Sequence, residues 1–200
     1  RYKQLEPRLQ LDIKAFFGDY ATAQAAGLQL LREAATSEGL LEACRQAARE
    51  GLGWLETEHS LQLHVSLVDR LPVVLRAYVA CAMVVIGGMS DAALVKIHIA
   101  SGKLTLMEFD DFDSSPLPRM SKRIKVNLKA QSYDMFEYGE QFQKTLLYRK
   151  SRYLHEEAEG YAEQLAFDEA LEATGILGAS EFGPSEADLA LRLNGERLEL

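Results

Sequence analysis

The stretch Leu94–Phe109, "LVKIHIASGKLTLMEF", decides the fold. Val95, Ile97 and Ile99 alternate with Lys96 and His98; after Ser101 and Gly102, Leu104 and Leu106 alternate with Lys103 and Thr105. A period of two over two short runs joined by a glycine turn predicts an antiparallel hairpin buried on one side. Closing it across a two-residue turn sets Ile99 opposite Leu104, Ile97 opposite Leu106 and His98 opposite Thr105. One face is then aliphatic, and the other carries Lys96, His98, Lys103 and Thr105.

Working outward, "KRIKVNLKA" repeats the pattern, with Ile124, Val126 and Leu128 inward and Arg123, Lys125, Asn127 and Lys129 outward. "SYDMFEYG" and "TLLYRKSRYL" extend the predicted antiparallel sheet. Upstream, "LQLHV" alternates like a short strand, and "RLPVVLRAYVACAMVVIG" is apolar nearly all round, as expected of a buried central helix capped by Asp69 with Pro72 in its first turn. The first fifty residues predict three amphipathic helices. Leu9, Ile13, Phe16 and Phe17 share one face of the first, Asp19 caps the second, and Ser37 caps the third, which Gly51 closes. After Leu154 the pattern returns to acidic helices, one closed by Gly175 and another capped by Ser185. The expectation is a single α+β domain over 1–200. It has a helical layer at 1–56, a central helix and an antiparallel sheet of about five strands at 61–154, and C-terminal helices at 155–200.

A chain of 200 residues, 48% hydrophobic, is long enough to bury a sizeable core. Its net charge of -8 argues against indiscriminate nucleic-acid binding over the whole surface. The charge is segregated, however: Arg119 to Arg152 holds nine basic and three acidic residues, so that segment is +6 and the remainder -14. Cys44 and Cys81 lie in helical runs without metal-type spacing and read as buried thiols, which makes a reducing cytoplasm the default. The central apolar run, interrupted by Arg76, is too short for a bilayer, so no membrane partner is expected. The opening at Arg1, without Met, suggests a piece of something longer.

No dinucleotide-binding glycine motif, nucleophile elbow or zinc-type histidine pair is present. Gly102-Lys103 also lacks the surroundings of a phosphate-cradling loop. Three constellations remain. Glu108, Asp110, Asp111 and Asp113 could supply oxygen ligands to Mg²⁺, with His98 and Lys103 nearby, as in a metal-dependent nuclease; the alternative is a solvated turn before Pro116 and Pro118. Lys96, Lys103, Arg123, Lys125 and Lys129, with Arg149, Lys150 and Arg152 further on, would form a surface for DNA phosphates, with Tyr148 and Tyr153 available for stacking. The alternative is lysines that guard a sheet against edge pairing. The apolar helix at Leu71–Ile86 could instead be the core of a dimerisation scaffold.

"RLQLDIKAFFGDY", "LPVVLRAYVACA", "LVKIHIASGKLTLMEFDDFDSSPLP", "RIKVNLKAQSYDMFEYG", "LLYRKSRYL" and "FDEALEATGI" resemble, in that order, the non-catalytic region of the DNA phosphorothioation-associated methyltransferase family. The resemblance covers nearly the whole chain and is most specific from Leu94 to Leu154. It implies a bacterial protein of a DNA-modification or defence system, whose methyl transfer would need S-adenosylmethionine bound in a separate domain. It also implies an accessory role here, toward DNA (phosphorothioate-modified or not) or a partner protein. The glycine-rich motif of that separate domain is missing from these residues, and the resemblance carries over no catalytic or cofactor-binding residue.

Overall fold

The computed structural model describes residues 2–88, 91–139, 142–177 and 183–192. Helices α1 (Pro7–Phe17), α2 (Tyr20–Ala34) and α3 (Ser37–Arg49) open the chain, followed by strands β1 (Trp54–Glu56) and β2 (Ser60–His64). A 3-10 turn over Val65–Arg70 leads into α4 (Val73–Ile86). Strands β3 (Leu94–His98), β4 (Lys103–Phe109), β5 (Met120–Asn127) and β6 (Ser132–Glu137) follow. A second 3-10 turn, Lys150–Tyr153, and helices α5 (Tyr161–Ala173) and α6 (Glu186–Arg192) complete the described chain. The architecture is α+β: one antiparallel sheet of six strands in the order β1-β2-β3-β4-β5-β6.

Local chemistry accounts for the helix boundaries. Asp19 caps α2 by accepting from the Thr22 amide at 2.8 Å. Thr36, one residue before the expected Ser37, caps α3 by accepting from the Gly39 amide at 3.1 Å. Pro7 occupies the first turn of α1, where no amide proton is needed. α4 starts after Pro72 rather than at an Asp69 cap, because Asp69 belongs to the preceding 3-10 turn. Gly87 ends α4 in the left-handed conformation. Ser185 caps α6 through the Asp188 amide at 3.2 Å.

The period-two pattern sets the two faces of the sheet. Leu61, Leu63, Val95, Ile97, Leu104, Leu106, Ile124 and Val126 point to one side, where they form the main core with α3 and α4. α4 is less enclosed than its composition implies: Leu75, Tyr78, Val79 and Ala82 are buried, whereas Val84 is 81% exposed. On α1 only Ile13 is buried; Leu9, Phe16 and Phe17 are exposed. In α4 the nearly uniform apolar run carries no period to mark an outer face, so its sequence cannot show which stripe stays uncovered.

Two sheet expectations are corrected. β3 and β4 are joined by four residues, not two, so Ile97 faces Leu104, Val95 faces Leu106, Lys96 faces Thr105 and His98 faces Lys103. The cause is Ile99, which leaves the ladder, donates its amide to the His59 carbonyl at 3.0 Å and is buried in the main core. The slip is by two residues and therefore keeps each side chain on its expected face. The "TLLYRKSRYL" segment is not a strand. It makes one bridge, Leu146 to Arg119, and then turns at Arg149 (φ 54) into the second 3-10 turn. Conversely, Trp54–Glu56 is an edge strand, too short for its pattern to show in sequence.

The segment after β6 covers part of the other sheet face. Tyr153, Phe112, Leu94 and Met107 pack together there. Tyr148, Phe167, Leu171 and Leu189 make a separate cluster under α5 and α6. The uncovered part of that face carries the polar residues. Among the described residues no helix is long and apolar enough to cross a membrane.

Candidate nucleic-acid interface

On the face away from α3 and α4, one row across β2 to β5 reads Gln62, Lys96, Thr105, Lys125, and the next reads Ser60, His98, Lys103, Asn127. Arg123, two residues before Lys125 on β5, lies opposite Phe136 of β6. Lys96, Lys103, Arg123 and Lys125 are therefore brought onto one surface by three neighbouring strands.

Beneath the long side chains lies a fixed polar floor. Ser60 is 1% and Thr105 3% exposed. Glu56 at the β1 edge accepts from Ser60 Oγ at 2.8 Å, Gln62 Nε2 at 3.1 Å and Lys96 Nζ at 2.7 Å. His98 Nε2 lies 2.9 Å from Thr105 Oγ1. Burial, and then the nearby charges of Lys96, Lys125 and Lys103, depress the His98 pKa to about 4. His98 is therefore neutral at pH 7, and as a base it would be poorly matched to neutral-pH proton transfer. Burial, and then Arg123 and Lys103, also lower the pKa of Lys125. These mutual effects mark a surface where positive charges crowd one another. Among the described residues Lys103, Arg123 and Lys125 form no ion pair, whereas Lys96 pairs with Glu56.

The remaining predicted contacts lie elsewhere. Lys129 sits beyond the end of β5, its stem against Gly102, whose φ of +68° is a left-handed conformation that glycine adopts without strain. Arg149 pairs with Glu172 at 2.9 Å. Lys150 is 7% exposed and donates to the Phe112 carbonyl and, at 3.1 Å, to that of Ser115. Arg152 lies over the Trp54 ring, 5.2 Å from its centroid. Tyr148 and Tyr153 are buried in the clusters flanking the sheet, so neither is available to stack on a base.

The acidic run does not converge. Glu108 pairs with Lys122 at 2.8 Å and Asp110 with Lys144. Asp111 holds Arg119 through both its amide at 2.8 Å and its guanidinium at 3.0 Å. Asp113 instead lines a cavity of about 830 Å³ beside His64, Arg70 and His155. Among the described residues no three His, Cys, Asp or Glu side chains are grouped to hold a metal ion.

The aromatic content of the face was not anticipated. The Arg123 guanidinium lies 5.0 Å from the centroid of Phe136 and 5.7 Å from that of Tyr138, and Lys125 Nζ is 5.5 Å from Phe136. Phe142 packs at 6.1 Å from Phe136 and 5.9 Å from Tyr138. The alternation of Phe136 and Tyr138 with Glu137 was a usable signal; what the sequence lacked was the pairing that sets them beside Arg123.

Fold and face together define an α+β protein with α3 and α4 packed on one side of a six-stranded antiparallel sheet and a cationic, aromatic-edged surface on the uncovered part of the other. Comparison with protein-family models, curated proteins and solved structures finds no match.

Proposed function

We propose that this chain is a non-catalytic, cytoplasmic accessory module of a bacterial DNA-modification or defence system, and that it contacts the DNA backbone through the exposed sheet face. The observation that carries this reading is the crowding of Lys103, Arg123 and Lys125, which form no ion pair among the described residues and outweigh Asp134 opposite Lys125 strongly enough to help depress His98 and Lys125. Phosphate is the counter-charge such a surface lacks, and the acidic remainder of the chain keeps DNA off the other surfaces. The phosphorothioation-associated reading comes from the sequence resemblance, in which methyl transfer belongs to a separate domain that binds S-adenosylmethionine.

The test is DNA affinity as a function of salt. Changing Lys103, Arg123 and Lys125 together to Gln should weaken binding and lower the slope of log affinity against log salt by about three, since each phosphate contact releases about one counterion. Base preference should barely change, because phosphate contacts position a duplex without reading it. Unchanged affinity and slope would leave the face to a partner protein.

A further inference from the structure

The rings beside Arg123 refine the substrate class, and the refinement rests on the phosphate-contact reading of the same face. The Arg123 guanidinium lies against Phe136 and Tyr138, and its Nε is buried without a hydrogen-bond partner among the described residues. Phe142 extends the cluster toward solvent and is 48% exposed. Aromatic rings and cations therefore share one continuous surface, with Lys125 touching both sets.

The cations and rings of the face span β3 to β6, about 14 Å at the usual strand spacing, already wider than a duplex major groove, which is about 12 Å. The face cannot enter a groove, and a duplex lying on it would keep its bases stacked inside, out of reach of the rings. A single strand can lay its phosphates along Lys103 and Lys125 and turn its bases onto the half-buried Phe136 and Tyr138 and the exposed Phe142, an arrangement that tolerates any sequence because every base has a π-face. We infer that the occupant is single-stranded DNA, with bases stacking on the Phe136, Tyr138 and Phe142 cluster and phosphates on the lysine rows.

The experiment measures fluorescence anisotropy at low salt with labelled oligo(dT), a duplex of equal length and an RNA strand of equal length, for the unaltered chain and for Phe142→Ala. Thermal melting confirms that the variant folds, as expected for a side chain so exposed. The expected result is oligo(dT) binding at least about tenfold tighter than duplex. Phe142→Ala should weaken oligo(dT) by about fivefold or more with the salt slope and duplex binding unchanged, since a stacking contact releases no counterion. Duplex binding as tight as oligo(dT), or no effect of Phe142→Ala on oligo(dT), overturns the single-strand inference and leaves phosphate contact standing. Tighter binding of the RNA strand overturns the assignment to DNA. If no nucleic acid binds, both readings fall together.

Discussion

The Lys96 ammonium reaches across β2 to the Glu56 carboxylate at 2.7 Å, so the first and third strands of the sheet are tied by one ion pair on its solvent face. The same carboxylate also accepts from Ser60 and Gln62, which lie on the strand between. Glu56 thus fixes the β1 edge and offsets one of the cations of the face.

Replacing Glu56 by Gln should therefore move stability and binding in opposite directions. Losing the carboxylate leaves the half-buried Lys96 with an amide oxygen in place of its counter-charge, at a cost of about 1–3 kcal/mol, while DNA affinity rises because one negative charge leaves the cationic surface. Urea unfolding together with a DNA titration checks both; a variant that binds DNA more weakly would count against the proposed face.

The depressed His98 gives a pH signature. Its folded-state pKa of about 4 lies below the ordinary 6.5, so as pH falls through that window the unfolded chain takes up a proton that the folded chain refuses. Stability is full above 6.5, declines as pH drops toward about 4, and does not decline further on this account below that. His64, also lowered by burial, contributes in the same direction. Melting curves of His98→Asn should show a shallower decline across the window than those of the unaltered chain. Equal slopes would mean that His98 is not desolvated in the folded protein.

Ile97→Asp should unfold the domain. The side chain is fully enclosed among the core residues, and a buried, unpaired carboxylate costs several kcal/mol. Lys103→Asp, on the adjacent strand and opposite face, should fold normally and bind DNA less well. Circular dichroism distinguishes the pair, and the reverse outcome would exchange the two faces.

Lys150→Met separates a structural cation from a binding one. It leaves the Phe112 and Ser115 carbonyls without their charged donor, so stability should fall by about 1–3 kcal/mol. DNA affinity of the folded variant should not change, because this ammonium points inward. A loss of affinity with unchanged melting would restore Lys150 to the interface.

The paired state of the acidic run makes a last prediction. Adding Mg²⁺ or Mn²⁺ to the unaltered chain should neither raise its melting temperature nor produce cleavage of modified or unmodified DNA. Asp111→Ala should destabilise by about 1–3 kcal/mol because Arg119 loses both of its Asp111 contacts. Metal-dependent cutting that disappears in Asp110→Asn would overturn this and favour a nuclease.

What the sequence by itself determined is the separation of the two sheet faces. Alternation along "VKIHI", "KLTL" and "RIKV" is local: neighbouring side chains of a strand must point oppositely, so Ile97 inward implies Lys96 and His98 outward whatever the register. The Asp19, Gly87 and Ser185 boundaries are legible for the same reason, since each rests on contacts within a few residues. Tertiary structure alone decided which cations remain free. Arg119 finds Glu186, Lys144 finds Asp110, Arg149 finds Glu172 and Lys96 finds Glu56, each partner more than twenty residues away, while Lys150 turns inward and Lys103, Arg123 and Lys125 form no ion pair among the described residues. Charge counting along a chain cannot anticipate those pairings, because an ion pair depends on the distance between side-chain tips, and only the packed sheet, the two 3-10 turns and the C-terminal helices set those distances.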